Sequence, residues 1–136
     1  MDSRGGSPDN GSGAAPIKIL VIDGENNHCR LYKEELEDDG YHVLTAVTWT
    51  EGIDLFMKET PDVVTVDICM TDCEEKIKLL RQMKQANPEV ALILLTTQRH
   101  RDDVEAPYVD AYVIKSSDLS ELKRTIRAAT SRRDNA

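Results

Sequence analysis

Pro61-Asp-Val-Val-Thr-Val-Asp67-Ile-Cys-Met-Thr71 (PDVVTVDICMT) is a β-branched apolar run that ends in an aspartate. A short run of this kind, opened by a proline, reads as a strand buried on both faces. The carboxylate at its end must be solvated, paired or bound to a metal, because burying it alone costs several kcal/mol. What meets Asp67 therefore decides both the fold and the chemistry.

On either side of this strand, apolar runs alternate with helical patterns. Ile17–Ile22 (IKILVI) is the first strand, and 26–39 is a helix with an inner stripe of His28, Leu31, Tyr32 and Leu36, closed by Gly40. Residues 41–46 (YHVLTA) form a second strand. Thr48-x-x-Glu51 is a capping box for a helix carrying Ile53, Leu55, Phe56 and Met57, which Pro61 ends. After strand three (62–66) come a helix over 74–86, with Ile77, Leu80 and Met83, then strand four over 90–95 (VALILL) and strand five over 111–114 (AYVI). Asp118-x-x-Glu121 caps a last helix with Leu119, Leu122, Ile126 and Ala129 on its stripe. Between strands four and five, QRHRDDVEAP offers only Val104 and Ala106 before Pro107, so a fourth helix there is expected to be short or irregular. Five strands alternating with helices predict an α/β fold: a doubly wound parallel sheet covered on both faces.

Residues 1–16 are Gly, Ser, Pro, Asn and Asp with little to bury and read as a flexible leader; 17–130 is the domain, and 131–136 is expected to be a disordered tail. The formal charge of −8 argues against a surface for phosphate backbones or anionic membranes, so no direct nucleic acid and no membrane partner are expected. No apolar run reaches membrane-span length and no secretory signal opens the chain, which gives a cytoplasmic location as the expectation. Cys29, Cys69 and Cys73 lack a disulfide or zinc spacing and are expected as reduced thiols.

In a wound parallel sheet, ligands collect at the carboxyl ends of the strands. The residues just past those ends are Asp23 and Glu25, Asp67, Thr96 and Thr97, and Lys115. Carboxylates, a hydroxyl and an ammonium together suit a hard divalent cation and a phosphoryl group: Mg²⁺ needs only one or two carboxylates, and an aspartate beside it serves as a nucleophile.

In this order, ILVIDGENNHCRLYKEELEDDGY, PDVVTVDICMT, ILLTT and DAYVIKS resemble the receiver domain of two-component response regulators over residues 17–129. The resemblance implies a flavodoxin-like five-stranded sheet, Asp67 as phosphoacceptor, a sensor histidine kinase as donor and Mg²⁺ as cofactor. It implies that Asp23, Asp67 and the Cys69 backbone carbonyl hold the metal, with Glu25 reaching it through a water as a further option. Thr96 and Lys115 match the residues that bind the phosphoryl oxygens, Thr96 and Tyr112 the switch pair, and Cys69 and Gln98 the positions that modulate dephosphorylation. The face made by the fourth helix, strand five and the fifth helix is then where a downstream protein docks. Such a domain is a phosphoacceptor, not an enzyme, with at most self-phosphorylation and autodephosphorylation.

Several positions depart from the family pattern. Gly24 replaces the usual second acid, which predicts weak Mg²⁺ binding. Lys115-Ser116 stands where the family has a cis Lys-Pro; a cis bond without proline costs about 3 kcal/mol, so a trans bond and a displaced Lys115 are expected. Thr71 and Asp72 replace a Pro and a Gly, and the stretch from Thr96 to Tyr112 is short. These departures favour the alternative of a pseudo-receiver that binds partners without phosphorylation. A phosphatase of the haloacid dehalogenase type is a weaker reading, since Asp67-x-Cys69-x-Thr71 lacks its general acid, and flavin binding is weaker still. His28, on its helix's apolar stripe, is expected to be a packed, satisfied histidine rather than a relay or a ligand. The basic cluster Lys123, Arg124, Arg127, Arg132 and Arg133 reads as a solvated helix face.

Overall fold

The structure is a computed structural model that describes residues 15–71, 74–97 and 108–134. Strands β1 (Lys18–Ile22), β2 (His42–Ala46), β3 (Val63–Asp67), β4 (Ala91–Thr96) and β5 (Ala111–Ile114) form one sheet, all neighbours parallel, in the order β2-β1-β3-β4-β5. That is the flavodoxin-like order, with its switch point between β1 and β3. Helices α1 (Asn26–Asp38), α2 (Trp49–Glu59), α3 (Glu74–Ala86) and α4 (Ser120–Asp134) and a 3₁₀ turn (Ile68–Thr71) complete the described elements.

Alternation along each strand sorts the core into two layers. Ile19, Val21, Val63, Ile93, Leu95 and Val113 pack under Cys29, Tyr32 and Leu36 of α1 and Leu122 and Ile126 of α4. Leu20, Ile22, Val64, Val66, Leu92 and Leu94 pack under Phe56 of α2 and Leu80 and Met83 of α3. The strands read as unbroken apolar runs because helices cover both sides.

Local chemistry sets the boundaries. α1 ends in a Schellman motif, with Tyr41 N donating to Leu36 O (3.3 Å) and Gly40 N to Glu37 O (3.0 Å), and Gly40 holds φ 95° without a Cβ penalty. At the start of α2, Thr48 Oγ1 accepts from Glu51 N (3.1 Å), the first half of a capping box, while Glu51 Oε1 reaches one residue further back and accepts from Val47 N (3.0 Å) rather than from Thr48 N.

Some expectations change. Leu31 is 38% exposed and Met57 63%, so neither belongs to its helix's inner stripe. Cys29, not His28, continues the stripe through Tyr32 and Leu36, at i, i+3 and i+7. α4 runs to Asp134, so residues 131–134 are helical rather than part of a tail. The expected fourth helix falls on 98–107, which lies outside the described residues, as do Gln98, Cys73 and most of the leader.

Thr65, at the centre of β3 and 1% exposed, has a hydroxyl with no hydrogen-bond partner among the described residues. A buried hydroxyl without a partner is costly, and valine has nearly the same shape. Thr65→Val is expected to stabilise the domain by about 1 kcal/mol, seen as a rise of about 4 °C in thermal midpoint; an unchanged or lower midpoint would show that the hydroxyl is satisfied.

Candidate functional site

β1 and β3 lie side by side, and their parity carries Asp23 and Asp67 to the same layer at the carboxyl rim. Both are almost fully buried, at 1% and 4% exposure. Each carboxylate has one oxygen fixed by the turn that follows its strand. Asp23 Oδ1 accepts from Glu25 N (2.9 Å), and Asp67 Oδ2 from Cys69 N (3.1 Å). The other two oxygens face a single cation: Lys115 Nζ lies 2.5 Å from Asp67 Oδ1 and 3.7 Å from Asp23 Oδ2. Lys115 leaves β5 with its backbone N bound to Thr96 O (2.6 Å).

Lys115 is therefore not displaced, although no cis peptide bond occurs among the described residues. One residue past β5 is close enough for a four-carbon side chain to span to β3, whichever way the next peptide turns. Desolvation pulls the Lys115 ammonium down, but the hydrogen bond it donates to Asp67 and the charges of Asp67 and Asp23 outweigh it and leave its pKa raised.

His28 is the residue that sequence reasoning misplaced. Its Nδ1 lies 3.1 Å from Asp23 Oδ2 and 3.3 Å from Lys115 Nζ, and its side chain is 36% exposed. It is a rim residue, not a packed one. The signal was available: with Cys29 on the stripe, its neighbour His28 turns about 100° away around the helix, toward the strand ends. Cys29 is buried with its Sγ on Asp23 O (3.4 Å); burial first, then the Asp23 charge, pushes its thiol up to about 11. Trp49 also escaped notice. Its indole N–H donates to Met70 O (2.6 Å), tying the start of α2 to the turn after Asp67.

The remaining candidates sit around this centre. Thr96 is 1% exposed and its hydroxyl donates to Thr97 O (3.3 Å). Alternation sets Thr96 on the α2/α3 face of the sheet together with Tyr112, which is 43% exposed. Cys69 is exposed, and the Asp67 charge, then its hydrogen bond to Asp67, pushes the thiol's pKa up. The Glu25 side chain is 70% exposed, 4.0 Å from His28 Nε2. Lys123, in the basic cluster, bridges α4 to α1 through Glu35 (3.2 Å) and Asp39 (3.7 Å).

A hard divalent ion fits the donor set. Two carboxylate oxygens already converge on one cation, the Lys115 ammonium, and Mg²⁺ accepts one or two carboxylates with waters. Among the described residues no cluster of three or more His, Cys, Asp or Glu side chains could hold a metal ion, so waters or backbone carbonyls must complete any shell.

A wound α/β sheet with a buried acid pair and a lysine at its carboxyl rim is the arrangement these residues present. The sequence model of the response regulator receiver domain matches residues 19–127, and the chain belongs to that family. Response regulator protein TrrA of Thermotoga maritima, solved in complex with Mg²⁺-BeF, is 32% identical over 83% of this chain and 98% of its own, with TM-score 0.73. The same relative has been solved in complex with the histidine kinase ThkA (32% identity, TM-score 0.72, covering 83% and 97%). The probable transcriptional regulator ycf27 of Guillardia theta is 30% identical over 88% of this chain and 47% of its own length. The chain spans about half the length of the curated relatives it matches. Among the described residues no helix is long and apolar enough to cross a membrane.

Proposed function

We propose that this receiver domain accepts a phosphoryl group on Asp67 from a sensor histidine kinase and changes its partner contacts in response. The observation that carries the reading is the shared cation: Lys115 faces the free oxygens of both Asp67 and Asp23. In the transfer, an Asp67 oxygen attacks phosphorus, the bond to the donor imidazole breaks, and that imidazole leaves. The step depends on position and charge neutralisation more than on covalent help. Asp23, Asp67 and the Cys69 carbonyl would hold Mg²⁺, with Glu25 contributing through a water; bound there, the ion neutralises phosphoryl charge. With Gly24 in place of a second acid, that binding is weak.

Lys115 then follows the phosphoryl oxygens, and the Thr96 hydroxyl exchanges the Thr97 carbonyl for one of them. Tyr112, outward and half exposed, turns toward the space Thr96 leaves. Charge and acceptor oxygens supply the differential contacts that such a switch needs. The surface affected is that of β5, α4 and the segment after β4, where a downstream protein docks. Cys69 and Gln98 tune the lifetime of the phosphoryl group. The domain is a signalling module and not an enzyme, works in the cytoplasm, and touches neither nucleic acid nor membrane through these residues.

A second reading, a pseudo-receiver that works unphosphorylated, is favoured by Gly24 and by the lack of a self-sufficient metal cluster among the described residues. One experiment separates the two. Incubated with Mg²⁺ and a small acyl phosphate, the wild type is expected to gain the mass of one phosphoryl group, mapped to Asp67 by proteolysis, and Asp67→Asn to gain none. An unchanged wild-type mass would leave the pseudo-receiver standing.

A further inference from the structure

We propose that His28 is a positioning residue of this rim, restraining Asp23 and Lys115 in a site where position 24 is a glycine; the inference rests on the function proposed above. Of the four carboxylate oxygens of Asp23 and Asp67, two are fixed by backbone N–H groups and two are left for chemistry. His28 Nδ1 lies against one of those two, Asp23 Oδ2 (3.1 Å), and also against the ammonium that joins them, Lys115 Nζ (3.3 Å).

One ring nitrogen cannot serve both neighbours in the same way. Bearing a hydrogen, it donates to Asp23 and aims Oδ2; without one, it accepts from Lys115 and holds the ammonium. Either tautomer restrains a group that the phosphoryl site needs in a fixed place. The ring itself is held. His28 lies in the first turn of α1, Cys29 beside it is buried against Asp23 O (3.4 Å), and the buried Tyr32 ring stands 6.4 Å away at 47°. Gly24 carries no side chain that could share the task.

Residues that hold a ligating carboxylate from behind typically carry about a 10- to 100-fold effect on metal affinity or activity. The test compares wild type, His28→Ala and His28→Asn in the full chain. Mg²⁺ binding is read from amide and Trp49 indole N–H shifts by NMR, and phosphorylation by an acyl phosphate from initial rates. For His28→Ala the Mg²⁺ half-saturation is expected to rise about tenfold and the maximal rate to fall about tenfold, with the donor's half-saturation unchanged. His28→Asn, which keeps a polar atom near the Nδ1 position, is expected to recover most of both. A ring acting only as packing would give two equally impaired variants, and a ring of no consequence would leave His28→Ala at wild-type values; each result overturns the inference. A wild type that binds Mg²⁺ without taking up phosphoryl defeats the proposed function, while the Mg²⁺ titration still decides whether His28 restrains Asp23. A wild type that does neither overturns both.

Discussion

Lys115→Met is expected to lose both activity and stability. For activity, the ammonium is the one protein cation facing both these carboxylate oxygens among the described residues, and in the function proposed above it meets the incoming phosphoryl charge. Removing one preorganised charge-stabilising donor from such a site costs about 100- to 1,000-fold in rate, which initial phosphorylation rates would register directly. For stability, Met keeps the volume of the lysine stem and removes only the charge, leaving Asp67 (4% exposed) beside Asp23 (1%) without their common partner. Breaking one side of a buried pair costs about 3 to 5 kcal/mol. Lys115 retains 20% exposure, so water screens part of this and the lower end is expected. Against a total stability of about 5–15 kcal/mol the loss is large. Denaturation midpoints equal to wild type would show that the acid pair tolerates its own repulsion.

The same ion pair fixes the sign of a pH effect. The Lys115 pKa is raised in the folded state above its ordinary 10.5. A group bound more tightly to its proton when folded contributes stability fully below its unfolded pKa and loses it as pH rises through the folded value. The stability difference between wild type and Lys115→Met is therefore expected to be constant through neutral pH and to shrink above about 10.5. A difference that did not shrink at high pH would assign it to a group other than Lys115.

The fold was legible because each level of the sequence agreed with the others. Apolar runs broken by Pro61, the Thr48-x-x-Glu51 box and Gly40 after α1 all pointed to the same alternation of strands and helices. Of the site, Asp23, Asp67 and Lys115 were readable because a strand end is a fixed address in a wound sheet. His28 was misread, because on a helix the address depends on rotation: one residue is 100°, and taking His28 rather than Cys29 for the stripe turned a rim residue inward. Leu31 and Met57 failed for the same reason. The distance from Lys115 to Asp67 was also beyond sequence reasoning, since an argument from the missing proline concerns the peptide bond after the lysine and not the reach of its side chain.

Gly24→Asp is expected to strengthen Mg²⁺ binding by about tenfold, or about 1.4 kcal/mol. The backbone admits it. A Cβ at position 24 would meet Met70 Sδ at 3.7 Å and Val47 O at 4.0 Å, both ordinary contacts, and of the described glycines only Gly40 has a positive φ. The new carboxylate follows Asp23 directly, at the rim where Asp23 and Asp67 already face a cation. A unit charge about 4 Å away is worth about 1 kcal/mol in water and about 4 kcal/mol at the effective dielectric of a protein surface, so a tenfold gain lies at the cautious end. The cost falls on the metal-free protein, where a third carboxylate joins two that share one lysine. Gly24→Asp should therefore melt lower than wild type without Mg²⁺ and gain more on its addition, because a ligand bound only by the folded state stabilises it as the logarithm of its concentration over Kd. Melting curves across a Mg²⁺ series, with the Trp49 indole N–H shift as a second reading of saturation, measure both effects. Identical Mg²⁺ dependence in the two proteins would mean that position 24 does not face the ion.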